Sequence, residues 1–296
     1  MIASPLDPHR VRRHFDRAAP AYGRSAALQR EVAARLAARL DLVRLDPATV
    51  LDAGCGTGIL TAALSARYPR AHMLALDLSL RMLTAGWPPR SRFARLLRTA
   101  PPGLPVCAAM ERLPLPDGSV DLACSSLALH WSAAPEQTLR ELRRVLRPGG
   151  LLMFTTLGPD SLRELRAALA DSPASVHAFA DMHDVGDLLV RTGFANPVMD
   201  MEHLTLTYPD LHALLRELRA GGAASARTDL ARGLHGRRWL EQLGRGYARQ
   251  GDGRLPATFE IVYGHAWIPE QSSRVSGDER SIVRFHPRRG RAGEAH

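Results

Sequence analysis

The chain has 296 residues, 45% hydrophobic and 23% charged, enough to bury a sizeable core and too apolar for wholesale disorder. Its net charge of +9 rests on 39 basic residues that are all arginine; neither zinc-finger spacing nor a basic stripe interleaved with aromatics points to nucleic acid. Three cysteines without CxxC spacing give no disulfide framework, no apolar run suits a membrane span, and the N-terminus lacks a signal-like apolar region, so a reducing cytoplasm is expected.

In chain order, Val11, Phe15, Ala18 and Ala19 recur at helical spacing until Pro20, which is expected to interrupt the helix. Leu28, Val32, Leu36 and Leu40 mark a second helix. Thr49–Asp52 reads as a short buried strand, followed by a glycine-rich loop and a helix over Ile59–Tyr68. His72–Asp77 is a second strand, after which Ser79 caps a helix. An Arg-rich excursion lies between Pro88-Pro89 and Pro101-Pro102. Strands are expected at Val106–Met110, Val120–Ser125 and Leu151–Thr156, with a helix over Pro135–Leu146 stopped by Arg147-Pro148-Gly149-Gly150. Helices over Ser161–Ala170 and Asp184–Arg191 and a strand within Gly193–Leu206 follow. Two helices, Pro209–Ala220 and Arg237–Arg249, precede a last strand at Thr258–Trp267.

Strands alternating with helices predict an α/β fold with a mostly parallel sheet and right-handed crossovers. Residues 1–45 form an N-terminal helical segment over the site, 46–208 an α/β core, 209–256 a helical lid, 257–270 the final core strand and 271–296 a polar tail expected to be disordered.

The loop Asp52-Ala53-Gly54-Cys55-Gly56-Thr57-Gly58 carries the chemistry. Its glycines permit positive φ and close approach of a ligand to backbone. The spacing is G-x-G-x-G, not the G-x-G-x-x-G of dinucleotide sites. A preceding acid suits a cationic amino group better than a pyrophosphate. Asp77, at the end of the second strand, is placed to take both hydroxyls of a ribose.

Val50–Gly58 resembles motif I of the class I S-adenosylmethionine-dependent methyltransferases, and Leu113–Leu122 and Leu146–Leu151 resemble two later motifs of that family. The resemblance implies a Rossmann-like seven-stranded sheet with helices on both faces. It implies S-adenosylmethionine as cofactor, S-adenosylhomocysteine as product, and Asp52, Gly54, Cys55, Gly56, Thr57, Gly58, Asp77, Leu78, Met110, Glu111 and Ser125 around the cofactor. The family often has an acid for the adenine amino group where this chain has Ala109. The adenine contact then rests on backbone, Met110 or Glu111.

Val11–Tyr22, Ser126–Trp131, Phe154–Leu165, Phe179–Asp187, Pro197–Met201 and Leu255–Trp267 resemble a narrower family, the malonyl-acyl-carrier-protein O-methyltransferases of biotin synthesis. That implies methylation of the free carboxyl of a malonyl thioester on an acyl-carrier protein or coenzyme A, with Tyr22, His130 and Trp131 at the substrate. A carboxylate is already ionised at neutral pH, so neither a general base nor a metal is expected. Arg216, Arg219, Arg237 and Arg238 are candidates for steering an acidic carrier protein. Leu127–Trp131 also resembles the trans-aconitate type of carboxyl methyltransferase, and similar chains serve as respiratory-complex assembly factors. Cys55, Cys107 and Cys124 read as packing residues. His177 and His183, with Asp181 and Asp184, read as turn or cap groups rather than metal ligands, and Asp160 as a helix cap.

Overall fold

A computed structural model of the chain describes residues 6–87, 103–170, 176–220 and 237–270. The Arg-rich excursion and the tail therefore lie outside the described residues. The strands are β1 (Thr49–Ala53), β2 (His72–Asp77), β3 (Leu104–Cys107), β4 (Val120–Ser126), β5 (Leu146–Leu157), β6 (Ala195–Tyr208) and β7 (Leu255–Trp267), in the sheet order β3-β2-β1-β4-β5-β7-β6. The pairings from β3 through β5 are parallel, whereas β7 runs antiparallel to both β5 and β6. This is the Rossmann-like architecture expected of a class I methyltransferase.

Central strands reading as continuous apolar runs must be covered on both faces. One face packs on α2 (Ala27–Arg39), where Leu28, Val32 and Leu36 are buried, and on α3 (Ile59–Arg67). The other packs on α5 (Pro135–Val145) through Leu139, Leu142 and Val145, and on α7 (Met182–Arg191) through Leu188 and Leu189. One buried carboxylate ties three strand entrances together. Asp121 on β4 accepts from the backbone N–H groups of Ala48 (2.6 Å) and Thr49 (2.8 Å) and from Arg147 Nε on β5 (2.7 Å).

The sheet order reverses between β1 and β4, which opens a crevice at their carboxyl ends. Helix α1 (Pro8–Ser25), capped by Asp7, crosses that end and packs on α4 (Leu80–Gly86). It runs through Pro20 instead of stopping there. Pro20 lies on the exposed side, while Ala18 and Ala19 are buried; tertiary packing holds a helix that the missing N–H would weaken. Several boundaries also differ from the sequence pattern, among them β7, which starts at Leu255 instead of Thr258. Strand β3 ends at Cys107, β5 reaches back through Arg147-Pro148-Gly149-Gly150 to Leu146, and β6 continues to Tyr208. The remaining α-helices among the described residues are α6 (Arg163–Ala168), α8 (Leu211–Ala220) and α9 (Arg237–Gly246). Asp160 caps none of them, because α6 starts at Arg163 behind a left-handed Leu162.

Candidate active site

The loop after β1 turns three times through the left-handed region, with φ of +81° at Gly54, +56° at Gly56 and +86° at Gly58. Its own hydrogen bonds consume most of its N–H groups. Gly54 and Cys55 donate to the Leu76 carbonyl (2.7 and 3.0 Å), Gly58 to the Cys55 carbonyl (2.9 Å), and Gly56 to Asp77 Oδ2 (2.8 Å). At Gly54 a Cβ would lie 2.3 Å from the Ala128 Cβ, and at Gly58 it would lie 2.7 Å from the Trp87 ring. Only Gly lets the turn after β4 and the end of α4 close on the loop.

A cleft of about 610 Å³ opens above the loop, lined by Gly54, Gly56, Asp77, Leu78, Ala108, Ala109, Met110 and Glu111 on one side. Val11, Phe15 and Tyr22 of α1 and Ser126, Leu127, Ala128, Trp131 and Ser132 line the other. Asp77 is held at both oxygens, by the N–H of Gly56 and by that of Ser79 (2.7 Å), which leaves each oxygen a further lone pair. Burial pushes its carboxyl up to about 6, against the pull of those two N–H groups. Ser79 takes the cap of α4, accepting from Met82 N–H (3.1 Å). Glu111 Oε1 accepts from the Ser132 hydroxyl (2.7 Å) and Ala133 N–H (3.3 Å).

The charged groups lining the cleft, among the described residues, are the two acids Asp77 and Glu111. With loop amides spent internally, such a cleft disfavours a pyrophosphate and favours a ligand that brings positive charge, a vicinal diol and a flat apolar ring. S-adenosylmethionine has that chemistry, and Asp77, Leu78, Met110 and Glu111 fit it. Asp52, Cys55, Thr57, Gly58 and Ser125 do not line the cleft. Asp52 sits 1% exposed, its Oδ2 accepting from the Thr61 hydroxyl (2.6 Å) and its Oδ1 buried without a partner. Burial pushes its carboxyl up to about 7, against the Thr61 bonds. Cys55 packs with Ala75, Leu83 and Trp87, and Ser125 donates to the Ala53 carbonyl (2.8 Å). These residues hold the loop from beneath.

A second cavity, about 550 Å³, shares Phe15, Tyr22, Leu127 and Trp131 with the cleft and adds His130, Ser25, Gln29, Leu206, Tyr208, Glu217 and Phe259. Tyr22 and Trp131 border both spaces, whereas His130 lines the second alone. Leu127, φ +50°, makes the turn that aims His130 and Trp131, and its N–H donates to the carbonyl (3.1 Å) and hydroxyl (3.0 Å) of Thr155. A left-handed non-glycine residue stores about 1–2 kcal/mol, which the two bonds offset.

Burial holds His130 neutral, lowering it to about 3 with His177 adding to the effect. Its Nδ1 lies 3.4 Å from the Thr156 hydroxyl. Burial, then Asp77 and Cys55, raises the Tyr22 hydroxyl far above its ordinary range, so it stays a donor. His177 stacks on Trp131 at 5.7 Å, Phe15 meets Trp131 edge-on at 5.6 Å, and Phe179 does the same to His130 at 5.4 Å. His177 is therefore packing behind the corner. His183 is exposed and bonded to Asp181 (2.7 Å), which caps α7.

Sequence reasoning missed Phe15, Val11, Ser126, Leu127 and Ala128 in the cleft. Helical spacing flagged Val11 and Phe15 as core, and nothing in the sequence marks the left-handed turn at Leu127.

A family described as a methyltransferase domain matches residues 51–154. The malonyl-[acyl-carrier protein] O-methyltransferase of Laribacter hongkongensis is 52% identical over 288 residues, covering 95% of this chain and 96% of that protein. The protein of the same name from a Methylovorus species is 49% identical, covering 96% of each. Among solved structures, a putative methyltransferase from Bacillus halodurans is similar in fold (TM-score 0.56, 16% identity, 80% of this chain and 98% of that one). So is an S-adenosylmethionine-dependent methyltransferase from Thermotoga maritima (TM-score 0.52, 18% identity, covering 87% and 99%).

Proposed function

The chain belongs to the malonyl-[acyl-carrier protein] O-methyltransferases, and from that membership we propose that it methylates the free carboxyl of a malonyl thioester carried on an acyl-carrier protein. The observation that supports this reading in the structure is the shared wall. Phe15, Tyr22, Leu127 and Trp131 face both the cofactor cleft and the second cavity.

S-adenosylmethionine supplies the electrophilic methyl group. Asp77 would hold the cofactor's ribose, and Leu78, Ala109 and Met110 would line its base. The acceptor carboxylate is ionised at neutral pH, with a pKa of about 3–4, and needs no base. Tyr22 would donate a hydrogen bond from its hydroxyl to one carboxylate oxygen, and neutral His130 offers a second polar contact. Neither carries a full charge, so the carboxylate keeps its nucleophilic electron density. Phe15, Trp131, Leu127 and Phe259 exclude water, and α1 fixes the approach for in-line displacement.

Arg216 and Arg219 lie exposed on α8, beside the second cavity, and would steer an acidic carrier protein toward it. The side chains of Arg237 and Arg238 lie outside the described residues. Among the described residues no helix is long and apolar enough to cross a membrane. The methyl ester masks a charged end, so that chain elongation toward the pimeloyl moiety of biotin proceeds in the cytoplasm.

Incubating the purified chain with S-adenosylmethionine and malonyl-acyl-carrier protein, and weighing the carrier by mass spectrometry, tests the proposal. A gain of one methyl group, removed by mild ester hydrolysis, is expected. Rescue of a biotin auxotroph lacking this step separates it from methylation of free small acids or an assembly role. A cofactor-binding protein that leaves the carrier unmodified and fails to rescue would sink the assignment.

A further inference from the structure

We propose that Glu217 is a specificity-determining residue that excludes acids bearing a second free negative charge within the cavity, so that a carboxylate is accepted only when the part of its molecule that reaches Glu217 is uncharged. The inference rests on the reading above, in which the second cavity receives the acyl group.

The second cavity has two ends. Phe15, Tyr22, Leu127 and Trp131 border the cofactor cleft, whereas Glu217, Leu218, Leu206 and Tyr208 do not. Methyl transfer must occur at the first end, and the remainder of the substrate extends toward the second. No arginine lines this cavity among the described residues. His130 is neutral, and the hydroxyls of Tyr22 and Tyr208 are both pushed up from their ordinary value, chiefly by burial. Glu217 is therefore the one acidic side chain among the described lining residues.

Its surroundings make its identity informative. Glu217 accepts from the Tyr208 hydroxyl, and burial raises its carboxyl from the ordinary value, with Tyr208 and then Arg30 opposing. Arg30 is not a cavity residue, and its Nη1 donates to the Gly23 carbonyl (2.6 Å). A glutamine would keep the tyrosine bond without desolvating a charge. What glutamate adds is a negative potential over the distal end of a partly dehydrated space.

For a malonyl thioester that potential costs little, because the distal carbonyl and sulfur are neutral and an amide N–H further along finds an acceptor. Free malonate would carry its second carboxylate into the same field. Two like charges several ångströms apart at an effective dielectric near ~20 shift binding by about tenfold or more. The cavity would thus admit a carboxylate at its inner end and reject free di- and tricarboxylates.

The test uses the full chain with S-adenosylmethionine at pH 8, malonyl-S-N-acetylcysteamine as the neutral-tailed thioester, and free malonate as the dianion. S-adenosylhomocysteine release is followed for the native protein, Glu217→Gln and Glu217→Asp. For Glu217→Gln, kcat/KM for malonate relative to the thioester should rise about fivefold or more, through KM of malonate. Glu217→Asp should keep the native ratio. Added salt should narrow discrimination in the native protein more than in Glu217→Gln. A native protein that turns over the thioester while Glu217→Gln leaves the ratio unchanged overturns this inference alone. A native protein that methylates no malonyl thioester overturns the functional reading and this inference with it.

Discussion

At Gly54 the cofactor loop meets the turn that follows β4, and a single methyl group there should cost far more than its size. A Cβ on residue 54 would stand 2.3 Å from the Ala128 Cβ and 3.7 Å from its Cα. Saturated carbons settle at about 3.5–4.0 Å, so the two segments must part by more than ~1 Å. Ala128 has no rotamer with which to yield, and its backbone follows the left-handed Leu127. Overpacking of this kind costs about 1–3 kcal/mol. The φ of +81° adds about 1–2 kcal/mol once the residue is not glycine. The sum, roughly 2–5 kcal/mol, corresponds to a fall in Tm of about 5–15 °C for a chain of this size. Thermal melts and calorimetric titration with S-adenosylhomocysteine should be run on Gly54→Ala, Ala128→Gly and the double variant. The double variant removes the collision and keeps the φ penalty, so it should regain about half of the lost Tm and most of the lost affinity. If the double variant is as impaired as Gly54→Ala, or Gly54→Ala binds as tightly as the native protein, the reasoning is wrong.

Asp52→Asn should stabilise the ligand-free protein at alkaline pH. The Asp52 pKa of about 7 lies above the unfolded value near ~3.9, so its contribution is intact below about pH 4 and lost as pH rises through about 7. The variant does not titrate, and should gain about 1–3 kcal/mol relative to native at pH 8.5 over its standing at pH 5.5; urea melts at both values check the sign. Asp77→Asn should weaken S-adenosylhomocysteine binding about tenfold or more by calorimetry, since a charged acceptor becomes a neutral one. Tyr22→Phe should lower kcat/KM for the thioester about tenfold to a hundredfold, the loss of one hydrogen bond to a charged group; undiminished turnover would remove Tyr22 from the reaction. Reversing Arg216 and Arg219 to Glu should weaken turnover of the carrier-protein substrate more than that of a coenzyme A thioester and flatten its salt dependence.

The strand–helix alternation, the Gly54–Gly58 loop and Asp77 were legible because each is local, with pattern and turn chemistry lying within a few residues. The corner at His130-Trp131 was legible from its position after a strand that opens on the crevice. Pro20 misled because local propensity gives way when Ala18 and Ala19 are buried against a neighbouring helix. Asp52 misled for a related reason. Its side chain turns beneath the loop to Thr61, a choice of face that the string of residues does not encode. Ala128 and Trp87, which demand glycine at 54 and 58, come from distant segments and are visible only once the chain has closed.

The wall shared by the two cavities also divides the residues into those free to vary and those that are not. Phe15, Tyr22, Leu127 and Trp131 line both cavities, so on the proposed reading a change in any of them disturbs cofactor and acceptor together. Gln29, Leu206, Glu217 and Phe259 touch the acceptor space alone. An ancestor could therefore have exchanged one acid for another by drift in that outer set, inheriting its methyl donor intact.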